Sequence, residues 1–247
     1  MQVQRYISNE LTHFIGRDLV REMRFEEERD ERDERLYARL VSILRDGVLF
    51  AGGVPPNPEP GKATVKVHVT YTGKSELSEL FDPNIVCFCD IPVGDVEIHA
   101  AKYGPFGLSF DRRFLLAHGV NPVLYLAEDA DIGGEKAGKV FAEEMKHTVD
   151  FLGEIWHQRE DMPKEVSAAA GRAFSFLLYH HFPLVKGFRA RASDEDPENY
   201  YMEREWRTYN DFNFALHDVR RVYLPARFAA KLRDDLPDYF GQVTFLD

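Results

Sequence analysis

Two amphipathic helical stripes interrupt an otherwise strand-rich chain, and that interruption limits the folds open to it. Between Gly133 and Gln158, Phe141, Met145, Thr148, Leu152 and Ile155 recur at helical spacing. Pro163 then opens a second stripe of Val166, Ala170, Ala173, Phe174, Leu177, Leu178 and His181. The flanking apolar segments are short and strand-like. LTHFI places Leu11, His13 and Ile15 on one face, and ATVKVHVTY alternates Val65, Val67 and Val69 with polar residues. IVCFCDIP, FGLSF, NPVLYLA, YYMEREWRTY, VRRVYLP and QVTFL complete the set. Strands that do not alternate regularly with helices predict an α+β fold built on a mixed, mostly antiparallel sheet. The expected layout is one domain over residues 1–247 with a two-helix insert at 133–182.

Further helices are expected between the strands. EEERDERDERLYARLVSILRDG mixes charges at three- and four-residue spacing, with Leu36, Leu40, Ile43 and Leu44 at helical spacing and Gly47 as a stop. Its C-terminal half should dock and its N-terminal half should be solvated. SELSELFDP, GDVEIHAAKYG, DRRFLLAHG and PARFAAKLRDDL read as shorter helices, and GGVPPNPEPGK as a Pro/Gly loop.

The 247 residues are 44% hydrophobic and 30% charged, enough apolar side chain for a sizeable core. The formal net charge of -11 makes broad nucleic-acid binding an unlikely function, because phosphate binding needs clustered cations. Cys87 and Cys89 share a strand face and are poorly placed to bridge, so they read as reduced core residues. No apolar run approaches the roughly 18 residues of a membrane span, and MQVQRYISNEL has no signal-peptide core. A cytoplasmic protein is expected.

Several chemistries lack their spacing here. The nine histidines form no helical zinc pair with an intervening glutamate, so no metal site is expected. Neither a Walker loop nor a G-x-S-x-G elbow occurs. What remains is polar residues at strand ends. Read as one strand, YYMEREWRTY turns Met202, Arg204 and Trp206 to one side, with Met202 and Trp206 as apolar anchors. Tyr201, Glu203, Glu205 and Arg207 turn to the other. That second face is either a row of cross-strand ion pairs or a row of acids on a cleft floor. His13, Asp90 and Tyr103, the last beside Gly104 and Gly107, are the other candidates. A carboxylate in a cleft suits an oxocarbenium-like transition state, since it supplies negative charge where positive charge develops.

The ordered motifs VCFCDIP, HAAKYGPFGLSFDRRFLLAHGVNPVLYL and YYMEREWR, with ISNELTHFIGR and LVSILRDGVL before them, resemble the AbiGi family of bacterial abortive phage-infection proteins. That resemblance implies an antiviral, toxin–antitoxin-like role and a protein partner, either a cognate toxin or a phage-derived protein. In layout the chain is also similar to ADP-ribosyltransferase folds. This second resemblance implies NAD as cofactor, with His13 on the nicotinamide ribose, Tyr103 stacked on nicotinamide and Arg207 beside them. Glu205 would be the catalytic acid and Glu203 its E-x-E companion. The serine-threonine-serine strand of that superfamily has no clear counterpart, and Tyr103 precedes its strand. Two functions follow: an NAD-consuming or ADP-ribosyl-transferring enzyme, or a non-catalytic regulator that binds a partner through residues 133–182. Convergence of His13, Tyr103 and Glu205 in one cleft would favour the first, and a Glu205–Arg207 pair the second.

Overall fold

The computed structural model describes residues 8–23, 25–51, 85–193, 196, 199–209 and 211–246. The expected Pro/Gly loop at 52–62, the strand ATVKVHVTY and the helix SELSELFDP lie outside the described residues. The fold is α+β with a mostly antiparallel main sheet. The chain divides into two compact units, 1–55 with 86–121 and 203–247, and 56–85 with 122–202.

The first unit is organised by the strands β1 (Glu10–Phe14), β2 (Val48–Leu49), β3 (Ile85–Cys89) and β4 (Gly107–Asp111). With β5 (Asn121–Pro122), β10 (Glu205–Tyr209), β12 (Val219–Leu224) and β13 (Gln242–Phe245), all but β2 form a seven-stranded sheet of order β13-β12-β4-β1-β3-β10-β5. β11 (Phe212–Asn213) pairs with β2 separately. The β1–β4 register, Leu11 opposite Phe110 and His13 opposite Leu108, turns these four side chains to one face. On that face Leu11, Phe88, Leu108, Phe110 and Val222 are buried in one cluster with Leu36, Leu40 and Leu44 of helix α2 (Arg29–Asp46). The C-terminal half of α2 thus docks as its apolar spacing predicts. Opposite residues face the other way: Phe14, Cys89 and Tyr223 pack with Val96 and Ala100 of helix α3 (Val96–Tyr103).

Gly104 and Gly107 locate the end of α3 against β1. Gly104 holds φ +87, a conformation that lets the chain turn sharply out of α3 after Tyr103. A Cβ on Gly107 would approach the His13 carbonyl oxygen to 2.9 Å, so only glycine lets β4 lie this close to β1. The remaining described helices of this unit are α1 (Arg17–Glu22), α4 (Arg112–Ala117) and α7 (Ala229–Asp235).

The second unit contains α5 (Ala137–His157) and α6 (Lys164–Phe176), the two helices expected inside 133–182. A single π turn, Leu177–His181, ends the second helical stripe. Two short sheets accompany them, β6 (Leu124–Ala127) parallel to β9 (Val185–Phe188), and the hairpin β7 (Asp131–Ile132) with β8 (Glu135–Lys136). The sequence suggests one strand over NPVLYLA. The structure breaks it after Pro122, because β5 joins the large sheet while β6 takes β9 as its partner.

Candidate functional site

The segment YYMEREWRTY is not one continuous strand. Residues Tyr200–Glu203 form a 3-10 turn, and β10 begins only at Glu205. Arg204 lies between them at φ 44, the one described non-glycine residue in the left-handed region. Such a conformation costs about 1–2 kcal/mol, and Asp90 offsets it. The buried Asp90 carboxylate accepts from Arg204 Nη2 at 2.9 Å and from the Ser8 amide at 3.0 Å. The Asp90 amide in turn donates to the Arg204 carbonyl at 3.3 Å. The consequence is a correction to the expected side-chain sorting. Met202 is exposed, whereas Trp206 packs against the main core.

The two glutamates therefore leave the common line and enter separate clusters. Glu203, buried, accepts from Lys102 Nζ at 2.9 Å and from the Tyr103 hydroxyl. Tyr103 is held by stacking on Phe14, with ring centroids 6.1 Å apart, and the Arg17 guanidinium lies 5.8 Å from its ring. Burial first, then the Glu203 charge, pushes the Tyr103 hydroxyl strongly up, so it stays a proton donor. Glu205, also buried, accepts from Arg207 Nε at 2.7 Å along its own strand. Glu205 is thus in an ion pair, but within its own strand and buried, where the sequence suggested a cross-strand pair. Its two-residue spacing from Arg207 on one strand face was visible in the sequence.

His13 does not join either cluster. Strand alternation turns it away from Phe14, toward Phe88, whose ring it meets edge-on at 5.9 Å. Tyr103 stacks on Phe14, so His13 and Tyr103 address opposite faces of β1. The Nδ1–H of His13 donates to the Cys87 carbonyl at 2.8 Å, which fixes the tautomer. The structure thus brings Tyr103 to Glu203 and Arg207 to Glu205, and gathers no single cleft from His13, Tyr103 and Glu205. Lys102 and His99 are the site residues that sequence reasoning missed. Lys102 adjoins Tyr103 in the chain, but its partner Glu203 is a hundred residues away in sequence, and no local pattern announces the pairing.

His99 stacks beside both Phe14 and Tyr103, at 6.5 and 6.3 Å, and among the described residues its buried Nδ1 has no hydrogen-bond partner. Burial lowers the pKa of both His13 and His99 from the ordinary value of 6.5. The unfolded chain therefore takes up protons that the folded chain refuses. Their contribution to stability is complete above the unfolded pKa and is lost as pH falls through it toward the folded values. The urea midpoint should fall between pH 7.5 and pH 5.5, and a His13→Gln, His99→Gln double variant should flatten that slope. An unchanged slope would contradict the assignment.

Among the described residues no group of three or more His, Cys, Asp or Glu is placed to hold a metal ion, and no helix is long and apolar enough to cross a membrane. A solved structure, Thermus sp. 2.9 DarT in complex with carba-NAD+, aligns over 98% of this chain and 97% of its own at 10% identity. Its TM-score of 0.37 is too low to bear on fold or chemistry. An abortive phage resistance protein AbiGi from Lactococcus lactis subsp. cremoris is 25% identical over 150 residues, covering 55% of this chain and 54% of the relative. The model of the family described as "Putative abortive phage resistance protein AbiGi, antitoxin" matches residues 63–233. That match spans VCFCDIP, the Tyr103 segment and EREWR, and the chain belongs to the AbiGi family.

Proposed function

We propose that the protein is a non-catalytic regulator in bacterial anti-phage abortive infection, acting as an antitoxin that binds a cognate toxin. The single observation that carries this reading is the internal pairing of both candidate acids. Glu205 is matched by Arg207 and Glu203 by Lys102 and Tyr103, in buried surroundings where a matched charge serves structure. The second unit supplies a surface for the partner. Phe151 and Phe176 on its helices are 61% and 56% exposed, and Val166 and Trp156 are also exposed. Large apolar side chains left in water on helices mark interaction sites. Co-expression with the product of the neighbouring gene should yield a complex and rescue growth. Phe151→Glu with Phe176→Glu should weaken that complex about tenfold or more, as for interface anchors. No complex and no rescue, or a complex indifferent to both substitutions, would contradict it.

One observation favours the second reading, an NAD-binding ADP-ribosyltransferase-like cleft. The β1–β3 ladder is reduced to the pair Thr12–Cys89, so the sheet is weakly joined beside His13. The residues present do not fit NAD as they stand. Glu205 is engaged by Arg207, and His13 and Tyr103 face opposite ways.

A further inference from the structure

Among the described residues, the two edges of the large sheet are unlike. One ends in β5, two residues long and carrying Pro122, a common way of blunting an edge. The other ends in β13, whose sequence QVTF has no charge and no proline. Leu246 donates its amide to the Leu224 carbonyl at 3.1 Å. In a parallel ladder each residue turns both main-chain groups to the same side, and successive residues alternate. Gln242 and Thr244 therefore address β12, while Val243 and Phe245 direct N–H and C=O outward. Their side chains pair in register with Val222 and Leu224 on the core-facing side, yet Val243 is 37% and Phe245 49% exposed. Phe240, just before the strand, is 90% exposed.

β13 covers β12 only from Arg221 onward. Beside the uncovered start of β12 lies a cavity of about 520 Å³, lined among others by Phe240, Gln242, Arg220 and the three carboxylates Asp111, Asp218 and Asp238. Asp111 accepts the Arg113 amide at 2.8 Å and Asp218 the Ala215 amide at 2.8 Å, bonds that leave their charge in place. The one arginine, Arg220, already has Glu10 at 3.9 Å. The cavity is net negative in a chain of net charge -11.

We propose that β13 receives an extended segment of a partner protein as an added strand, apolar at alternate positions and basic at the end that reaches this cavity. Main-chain hydrogen bonds to Val243 and Phe245 would supply affinity, and Phe240 with the aspartates would select register and charge. A second copy of this chain is the wrong occupant, because it would bring two such acidic cavities together. This surface lies in the first unit and does not depend on the helices proposed above as the toxin-binding surface.

The test uses the full chain and a short synthetic peptide alternating valine and threonine with two arginines at one end. Controls are the same peptide ending in two glutamates, and one N-methylated at alternate amides. The arginine peptide should bind saturably and weaken with salt, with both controls about tenfold weaker or more. Val243→Pro, which removes an outward N–H without touching the β12 ladder, should cause a similar loss, and so should Asp238→Lys. Asp238→Lys is a surface change and stands as the variant to use if Val243→Pro folds poorly by circular dichroism. A Phe151→Glu, Phe176→Glu chain should bind the peptide normally, which separates this surface from the toxin surface. No binding, equal binding of the acidic peptide, indifference to Asp238→Lys, or self-association abolished by Val243→Pro would overturn the proposal.

Discussion

Arg207→Ala should destabilise the first unit by about 3–5 kcal/mol, the usual result of stripping one partner from a buried ion pair. The reason is what stays behind. The Glu205 carboxylate stays in its buried position and loses the guanidinium that stood 2.7 Å away. Replacing both residues together, Glu205→Leu with Arg207→Met, removes the stranded carboxylate and should restore most of the loss. A double-mutant cycle read by urea unfolding checks this, and the double variant should be more stable than Arg207→Ala alone. If Glu205 were instead held ready for substrate, with Arg207 incidental, the single substitution would be nearly silent in stability.

Glu203→Ala should have a comparable effect, about 3 kcal/mol or somewhat more, because it removes a buried carboxylate that both the buried Tyr103 hydroxyl and the half-buried Lys102 ammonium contact. Lys102 loses a carboxylate at 2.9 Å, and the Tyr103 hydroxyl loses the oxygen to which it donates. Tyr103→Phe should be milder, about 1 kcal/mol, since Glu203 then still has Lys102. Neither variant removes the Tyr103 ring, so both report on its polar contacts. The Glu203 charge helps hold the proton on Tyr103, so Glu203→Ala should bring this tyrosine's ionisation down in an ultraviolet titration while burial keeps it above the ordinary value of 10.0. Equal stability losses in both variants would mean that the Tyr103–Glu203 hydrogen bond, and not the Lys102 ion pair, dominates this corner.

Much of this was legible from side-chain period alone. Leu11, His13 and Ile15 share a face because strand alternation dictates it, and Leu36, Leu40 and Leu44 dock because helical spacing dictates it. Glycine punctuation at Gly104 and Gly107 correctly marked a close approach, here of β4 to β1. The strand reading of Tyr200–Tyr209 holds from Glu205 onward and failed over Tyr200–Arg204. The left-handed turn at Arg204 is held by Asp90, a residue distant in sequence, so no local pattern encodes it. The 3-10 turn over Tyr200–Glu203, together with the Arg204 dihedral, moved Glu203 out of line with Glu205 and took Met202 off the buried face. The Glu205–Arg207 pair needed no long-range information, because residues two apart on a strand always share a face. The placement of His13 opposite to Tyr103 needed the β1–β4 register and the stacking of Tyr103 on Phe14, which only the folded chain supplies.

On the reading proposed above, the buried acids hold the fold while the protein works by binding a partner. Incubation of the purified chain with NAD, followed by quantification of free nicotinamide, tests it most directly. Nicotinamide from the wild-type chain and from Glu205→Gln should both equal that of a protein-free blank, while the wild-type chain still neutralises its toxin. Nicotinamide release by the wild-type chain that disappears in a folded Glu205→Gln variant would contradict the account and establish Glu205 as a catalytic acid.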